Sequence, residues 1–529
     1  MWRYSPELLR TKARTLFFLC ILNRDSFTLI TVSRRNHPHQ TKKHCMKRRK
    51  ILRLGASAAL GWTAASTLNA CRRTSSPISP QLTLETTRGA ESASVVGTDA
   101  HHFLKDVGQK FSGTTIRVIT EDVPSPKAAL ELVEQEFTPL TGIEVEWDFL
   151  TLDRVLGRIE QDIAREAGTY DIMYWDQAWI GRFVDVGVNP KSLLANRELR
   201  YPNYDFEDFF PNLVDNIASY KGQLAAIPYD IPIFIMMYRP DIFEELGLTI
   251  PTTMSEYLAT AQKITEAKAP EVYGTVGQWQ AGHYSLHCNM TAWLWAHGGS
   301  IYRADGTPAI NDERAIAGLE YMLAQRQYAP PESITWDWYG EAEAFRQGRV
   351  GMLISWGEWF PWFEDSLGSR VSGKVAAAPC PQEVSLRPAD QCGFGEVPGI
   401  SHQGGSSLAL SRYSQNQDAA WIFLQWLTCA DTMTRAAILS KTNSVRRSTY
   451  SDPRLTQGFG LNQRVSRYLD VTLDAIENRM GTEPHLSNWI DLGFGHFPVE
   501  LGKLMTDQQS IKTTLDNMAD AAARATQTL

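Results

Sequence analysis

The chain has 529 residues, 43% hydrophobic and 21% charged, an ordinary globular balance at a length that exceeds one small core and points to two lobes or more. Its first 70 residues hold 14 Lys/Arg against two acids, so the formal net charge of −7 divides into +12 there and −19 over residues 71–529. An acidic body lacks the basic footprint of a nucleic-acid binder, and the absence of a Walker A loop, a GxSxG elbow, a dinucleotide fingerprint and a CxxC pair leaves ATP hydrolysis, serine-hydrolase chemistry and a zinc ribbon unsupported.

Residues 1–45 are basic, with one short apolar run at 16–22 that cannot span a bilayer. Met46 opens a better start. Lys47, Arg48, Arg49 and Lys50 form a charged head, and 54–68 is an apolar run rich in Ala and Gly. Arg48-Arg49 followed by Ile51-Leu52 resembles a twin-arginine export signal. Leu68-Asn69-Ala70-Cys71 resembles a lipobox, whose cysteine is acylated and becomes the mature N-terminus. The expectation is an upstream extension over 1–45, a lipoprotein signal peptide over 46–70, a lipid on Cys71, and an exported protein anchored at the membrane, periplasmic or on the cell surface. Residues 71–112, rich in Ser, Thr, Gly and Pro, read as a flexible tether.

The folded body opens with alternating residues at 115–120, a strand. Leu130, Val133 and Phe137 at helical spacing predict a helix over 126–138. Strands are predicted at 143–147 and 171–175, with a helix over 153–166 between them. Strand–helix–strand–helix–strand means a parallel sheet with helical crossovers, an α/β lobe. Ligands of such sheets sit at the carboxyl ends of the strands, which here carry Thr120 and Glu121, and Trp175 and Asp176. A second candidate is the stretch 345–363. Gly348 closes a turn, 350–354 is an apolar run of strand length, and Trp356, Trp359 and Trp362 crowd around Glu358. Indole faces with a carboxylate suit a sugar, which has C–H faces and a hydroxyl rim.

The order of motifs along the middle of the chain is more specific. Gln223-Leu224-Ala225-Ala226-Ile227-Pro228-Tyr229-Asp230 leads into 235–243, then Gly247 and Pro251-Thr252-Thr253. Phe345, Gly348, Gly351 and Met352 follow an F-x-x-G-x-x-A-M pattern with Gly351 in the Ala place. Gly404-Gly405 precedes Leu408-Ala409-Leu410. Asp418, Trp421, Phe423 and Leu427 mark the next helix, and Asn443-Ser444-Val445-Arg446 with Asp452-Pro453 closes the series. In this order and spacing, over roughly 113–525, the sequence resembles the family 1 extracellular solute-binding proteins of bacterial ABC importers, the maltose-binding group.

The resemblance implies a two-lobed, Venus-flytrap α/β fold with several inter-lobe crossovers. Residues 113–231 and 371–430 would form the first lobe, and 232–370 and 431–529 the second, with hinges near 229–232, 370 and 430. The implied function is capture of a sugar (an oligosaccharide, disaccharide or polyol) in the cleft and delivery to membrane permease subunits served by a separate ATPase, without catalysis and without a cofactor, by a monomer. The candidate ligand-binding residues are Glu121, from its place at a strand end, and, carried over by position, Trp175, Asp176, Asp230, Trp279, Trp338, Glu358, Trp359, Gly404 and Gly405. Arg446 either caps the cleft or pins a loop.

Other readings stand beside this one. Paired carboxylates among tryptophans also serve glycoside hydrolases, although nothing in the sequence sets two of them across one bond. A lipoprotein that senses its solute, or one that binds a glycerol-phosphate-like solute, keeps the same fold. His283 and His287 lie four apart on a helix next to Cys288, but without HExxH they read as ordinary structural histidines and not as a metal site. Of the body cysteines, Cys380 and Cys392 enclose a short loop containing Pro and Gly and are candidates for a disulfide if the protein is exported.

Overall fold

The computed structural model describes three strands within residues 18–46, residues 97–459 and residues 463–527. The chain divides into two compact units, 1–78 and 79–529. In the first, β1 (Phe18–Asn23), β2 (Ser26–Thr31) and β3 (His44–Met46) form an antiparallel sheet in that order. The sequence reading left this region without elements, although its second strand, SFTLIT, is rich in β-branched residues. Residues 47–70 of the expected signal peptide, Cys71 and the expected tether as far as 96 lie outside the described residues. Among the described residues no helix is long and apolar enough to cross a membrane.

The second unit begins with a correction. The expected tether runs to 112, yet α1 (Thr98–Phe111) is a helix, with Leu104 and Val107 buried and the Phe103 ring edge-on to Tyr201 at 5.7 Å. Phe103, Leu104, Val107 and Phe111 make an apolar stripe at helical spacing, which the polar composition of the whole segment hides.

The large sheet follows the predicted pattern. β4 (Thr115–Glu121), β5 (Glu144–Leu150) and β6 (Ile172–Asp176) are joined through α2 (Pro124–Leu132), which continues helically to Thr141, and through α3 (Leu152–Ala164). β4 pairs in parallel with both β5 and β6, as helical crossovers require. β7 (Ile227–Asp230) and a strand from far along the chain complete the sheet. That strand, β12 (Ser406–Leu410), which follows the short β11 (Ser401–His402), runs antiparallel between β6 and β7.

Three residues after β7 the chain enters a second sheet. β8 (Phe234–Tyr238) is its centre, flanked antiparallel by β9 (Met352–Trp356) and β10 (Ala376–Ala378). Its helices include α4 (Met254–Lys268), started by a Thr253/Glu256 capping box, α5 (Tyr284–Ala296), which is buried on every side, α6 (Glu313–Gln325) and α7 (Trp338–Arg346). α6 and the helix Phe497–Met505 both pack on α5, and the helix Ile511–Thr526 packs on both of these. The fold is two-lobed α/β, one lobe about each sheet.

Two expected boundaries shift. Ala376–Ala378, assigned by sequence to the first lobe, pairs with β8 of the second sheet, because three alanines carry no strand signal and the true return comes just before β12. The helix Ala430–Ser440, assigned to the second lobe, packs on α2, and its Arg435 binds Glu136 at 2.8 Å.

Candidate functional site

A cleft with about 490 Å³ of empty space lies between the two sheets. Its acidic floor comes from strand register. Ser406 at the start of β12 sits opposite Asp176 at the end of β6 and opposite Asp230 at the end of β7, so three polar side chains stand side by side at one sheet edge. Glu121, the last residue of β4, adds a third carboxylate from the same edge. The facing wall comes from the end of β9. The chain turns through Gly357–Trp359 and sets Trp356, Glu358 and Trp359 on the cleft, while Trp338 and Tyr339 arrive from the first turn of α7. That turn is fixed by Asp337, whose carboxylate accepts from the backbone N–H groups of Tyr339 and Gly340 at 3.0 Å. Tyr174, Tyr284, Val123, Leu152, Pro232 and Gly404 complete the lining.

The aromatic wall is pre-packed. The Tyr339 and Trp359 rings lie 5.3 Å apart, Trp359 and Trp362 5.6 Å, and Phe234 and Trp356 4.3 Å. A Cβ on Gly404 would press within 3.1 Å of the Trp356 ring, so glycine there lets the backbone pass the indole. Asp230 is held by the hydroxyl of Ser406 and by Tyr174 Oη, which donates over 3.3 Å; Asp176 accepts from Ala178 N at 2.8 Å. Glu121 and Glu358 are half-buried cleft residues, and their carboxylates have no hydrogen-bond partner among the described residues.

Desolvation governs the charge state here. It pushes Glu358 up to about 8, with the Asp230 charge adding to the shift, and Asp230 up to about 6 against the hydrogen bonds from Ser406 and Tyr174. Glu121 and Asp176 are also pushed well up, first by burial. The charges of Glu358, Asp230 and Asp176 add to the shift of Glu121, and those of Glu483 and Asp230 to that of Asp176, against a backbone hydrogen bond from Ala178. Among the described residues no Lys, Arg or His lines the cleft. The arrangement offers acceptors, protonatable carboxyls and flat apolar faces to a small polar solute.

Of the residues singled out by sequence, Glu121, Asp176, Asp230, Trp338, Glu358, Trp359 and Gly404 come together on the cleft. Trp175, Trp279, Gly405 and Arg446 do not. Side chains alternate along a strand, so Tyr174 and Asp176 take the cleft face of β6 and Trp175 takes the other, fully buried beside Phe183. Trp279 is buried against Gly277. Gly405 is crowded by Gln403 and Ile231. Arg446 is wholly buried away from the cleft, donating to the carbonyls of Thr428 and Asp205 at 2.6 Å and lying over the Phe209 ring at 4.0 Å, so of its two expected roles the structure shows loop-pinning. Cys380 and Cys392 are free thiols, not a disulfide. Trp356, grouped by sequence with Trp359 around Glu358, also lines the cleft; Tyr174, Tyr284 and Tyr339 are the cleft aromatics that sequence reasoning missed, and alternation from Asp176 identifies the first of them.

Behind the cleft, His287, Cys288 and a buried histidine, His402, surround Glu483. His402 Nε2 and His287 Nε2 lie 3.0 and 3.2 Å from Glu483 Oε1, while Trp489 Nε1 and Tyr284 Oη donate to Oε2 at 2.7 and 2.9 Å. Cys288, His402 and Glu483 have the donor types of a metal site, within 4.8 Å of one another, but both oxygens of Glu483 already have partners. His283 does not join them: it caps α5, its Nδ1 accepting from Ser285 N.

Comparison with known proteins agrees with this architecture. Residues 121–433 match the family model of the bacterial extracellular solute-binding proteins. A probable ABC transporter-binding protein of Deinococcus radiodurans is 26% identical over 308 residues, which is 57% of this chain and 68% of that one. The erythritol/L-threitol-binding protein of Mycolicibacterium smegmatis is 22% identical over 370 residues, 65% of this chain and 71% of that one. Among solved structures, an ABC transporter solute-binding protein from Agrobacterium radiobacter K84 in complex with ribitol superposes with a TM-score of 0.68 at 23% identity, covering 78% of this chain and 99% of that one. With more than half of its length matched to the family model, the chain belongs to the bacterial extracellular solute-binding proteins.

Proposed function

We propose that the protein captures a sugar or polyol in the cleft between its lobes and delivers it to the permease of an ABC importer, with no chemical change to the solute. One observation carries this reading. Carboxylates at the ends of three strands face a wall of Trp338, Tyr339, Trp356 and Trp359 across the cleft, which is the mixture that hydroxyls and C–H faces demand. The names of two relatives support it, since one binds erythritol or L-threitol and another was solved with ribitol.

In this reading the first lobe takes about 115–230 and 404–458, and the second about 234–400 and 463–527. The hinge strands pass at 231–233 and 400–404, where a few residues absorb closure. The protein acts outside the cytoplasm as a monomer, held at the membrane by a lipid on Cys71.

The test is thermal melting and intrinsic Trp fluorescence of the full chain against neutral sugars, polyols and sugar phosphates. A solute that binds only the folded state adds about 2.7 kcal/mol at a hundredfold excess over its dissociation constant. A shift with a neutral saccharide or polyol supports the reading. A shift with phosphorylated solutes alone refutes its ligand class. Consumption of a saccharide without a shift would put a hydrolase in its place.

A further inference from the structure

The charge balance of the cleft narrows the solute, granted that the cleft is the solute site. Four carboxyl groups, Glu121, Asp176, Asp230 and Glu358, converge on it from four separate segments, and among the described residues no cationic side chain lines it. A neutral polyol would leave their mutual repulsion in place. Glu121 and Glu358 face the cavity with no hydrogen bond of their own among the described residues, and the aromatic faces beside them attract cations. A second, independent feature asks for an oxygen. Trp359 is 5% exposed, lines the cavity, and has a buried indole N–H without an acceptor.

We propose that the solute is a hydroxylated amine, an amino sugar or amino polyol whose ammonium group sits among Glu121, Asp176, Asp230 and Glu358 while a hydroxyl oxygen accepts from Trp359. An ammonium has three N–H donors and no acceptor, so it matches Glu121 and Glu358, whose carboxylates have no donor among the described residues, and can add to the bonds that Asp176 and Asp230 already accept. Its positive charge offsets the repulsion that a hydroxyl leaves untouched. The raised carboxyl groups described above are those a bound cation would return to the ionised form.

The test is calorimetric titration of the full chain with matched pairs: glucosamine against glucose, 1-amino-1-deoxysorbitol against sorbitol, with N-acetylglucosamine as the uncharged control. In at least one pair the amine binds about tenfold or more tightly than its hydroxyl counterpart, and acetylation abolishes the gain. Glu358→Gln and, separately, Glu121→Gln lower the affinity of the amine by a larger factor than that of its hydroxyl counterpart, with melting checked to exclude unfolding. A neutral member that binds as tightly as its amine, or the only binder being neutral, overturns this inference and leaves the sugar-or-polyol reading intact. If no member of either series binds and other neutral saccharides fail as well, both fall together.

Discussion

Tyr284 donates its phenol hydrogen to Glu483 over 2.9 Å, and the same phenol oxygen accepts from Gln177 Nε2 at 3.2 Å. Tyr284 lines the cleft from α5 of the second lobe, and Gln177 follows β6 of the first. The hydrogen bond therefore ties both walls to one buried carboxylate. Glu483 also accepts from Trp489 and lies 3.2 Å from His287 and 3.0 Å from His402, and all of these groups are buried. Stacking of Tyr284 on Phe494 at 3.8 Å fixes the ring.

Removing Glu483 leaves two histidines, an indole N–H and a phenol without their acceptor. Glu483→Ala is expected to cost about 3–5 kcal/mol of unfolding free energy, the usual result of breaking a buried pair from one side. Tyr284→Phe deletes one hydrogen bond to a charged group and should cost about 1.5–3 kcal/mol. Urea unfolding measures both. A Glu483→Ala variant as stable as the parent would mean that the cluster does not hold the fold.

Stability should depend on pH with opposite slopes from two sets of carboxyls. For Glu483, burial alone would raise the folded pKa, but the His287 charge and hydrogen bonds from His287 and His402 hold it well below 4.5. Its contribution is present above the ordinary range and is lost in acid, as pH falls through the folded value. Asp230 at about 6 and Glu358 at about 8 are raised, chiefly by desolvation, and the buried Glu396 and Glu341 at about 7 and 8 act alike. Their contribution is complete below the unfolded values, 3.8 for Asp and 4.5 for Glu, and is lost as pH rises through 6 to 8. The ligand-free protein should therefore melt highest in mild acid and lower step by step towards pH 8. Glu358→Gln should flatten the top of that fall. A melting curve that rises between pH 5 and 8 would contradict this sign.

The fold was legible where period and order agree. Strands 115–121, 144–150 and 172–176 with their crossover helices follow from alternation and spacing, and the sheet's ligand edge follows from the parallel rule. Glu358 and Trp359 were legible because a carboxylate amid indoles after a strand has few structural uses. Trp175, Trp279 and Arg446 were not, since large side chains fill cores as readily as clefts, and the partners of Trp175 and Arg446 (Phe183 and Phe209) lie at positions no local pattern connects to them. Tyr284 and Tyr339 stayed hidden because their helices carry no signal for which turn meets the other lobe.

That distinction separates two tryptophan variants. Trp359→Ala removes a cleft wall and the ring that packs between Tyr339 and Trp362, so solute affinity should fall about tenfold or more, with a stability loss besides. Trp175→Ala empties a wholly buried site and should cost about 3–5 kcal/mol of stability. Any solute bound by the fraction that remains folded should bind with near-parental affinity. Titration calorimetry beside urea unfolding distinguishes the two. Equal affinity losses in both variants would place Trp175 on the solute after all.

The last expectation concerns the thiols. Cys380 follows β10 and donates to the Phe234 carbonyl at 3.4 Å, while Cys392 pairs across the chain with Arg303 and donates to the Pro388 carbonyl at 3.5 Å. Each sulfur thus has its own backbone acceptor in a separate setting, and disulfide geometry demands that the two Cβ atoms face each other. Burial pushes Cys380 up to about 12 and Cys392 up to about 11, so little thiolate forms near neutrality and the native protein should resist alkylation. Unfolding in denaturant without reductant should expose both, and peptides containing Cys380 and Cys392 should each take up iodoacetamide in full. A cross-linked pair of those peptides, lighter by two hydrogens and unlabelled until reduced, would restore the disulfide. It would also require the 381–391 loop to take a conformation other than the one described.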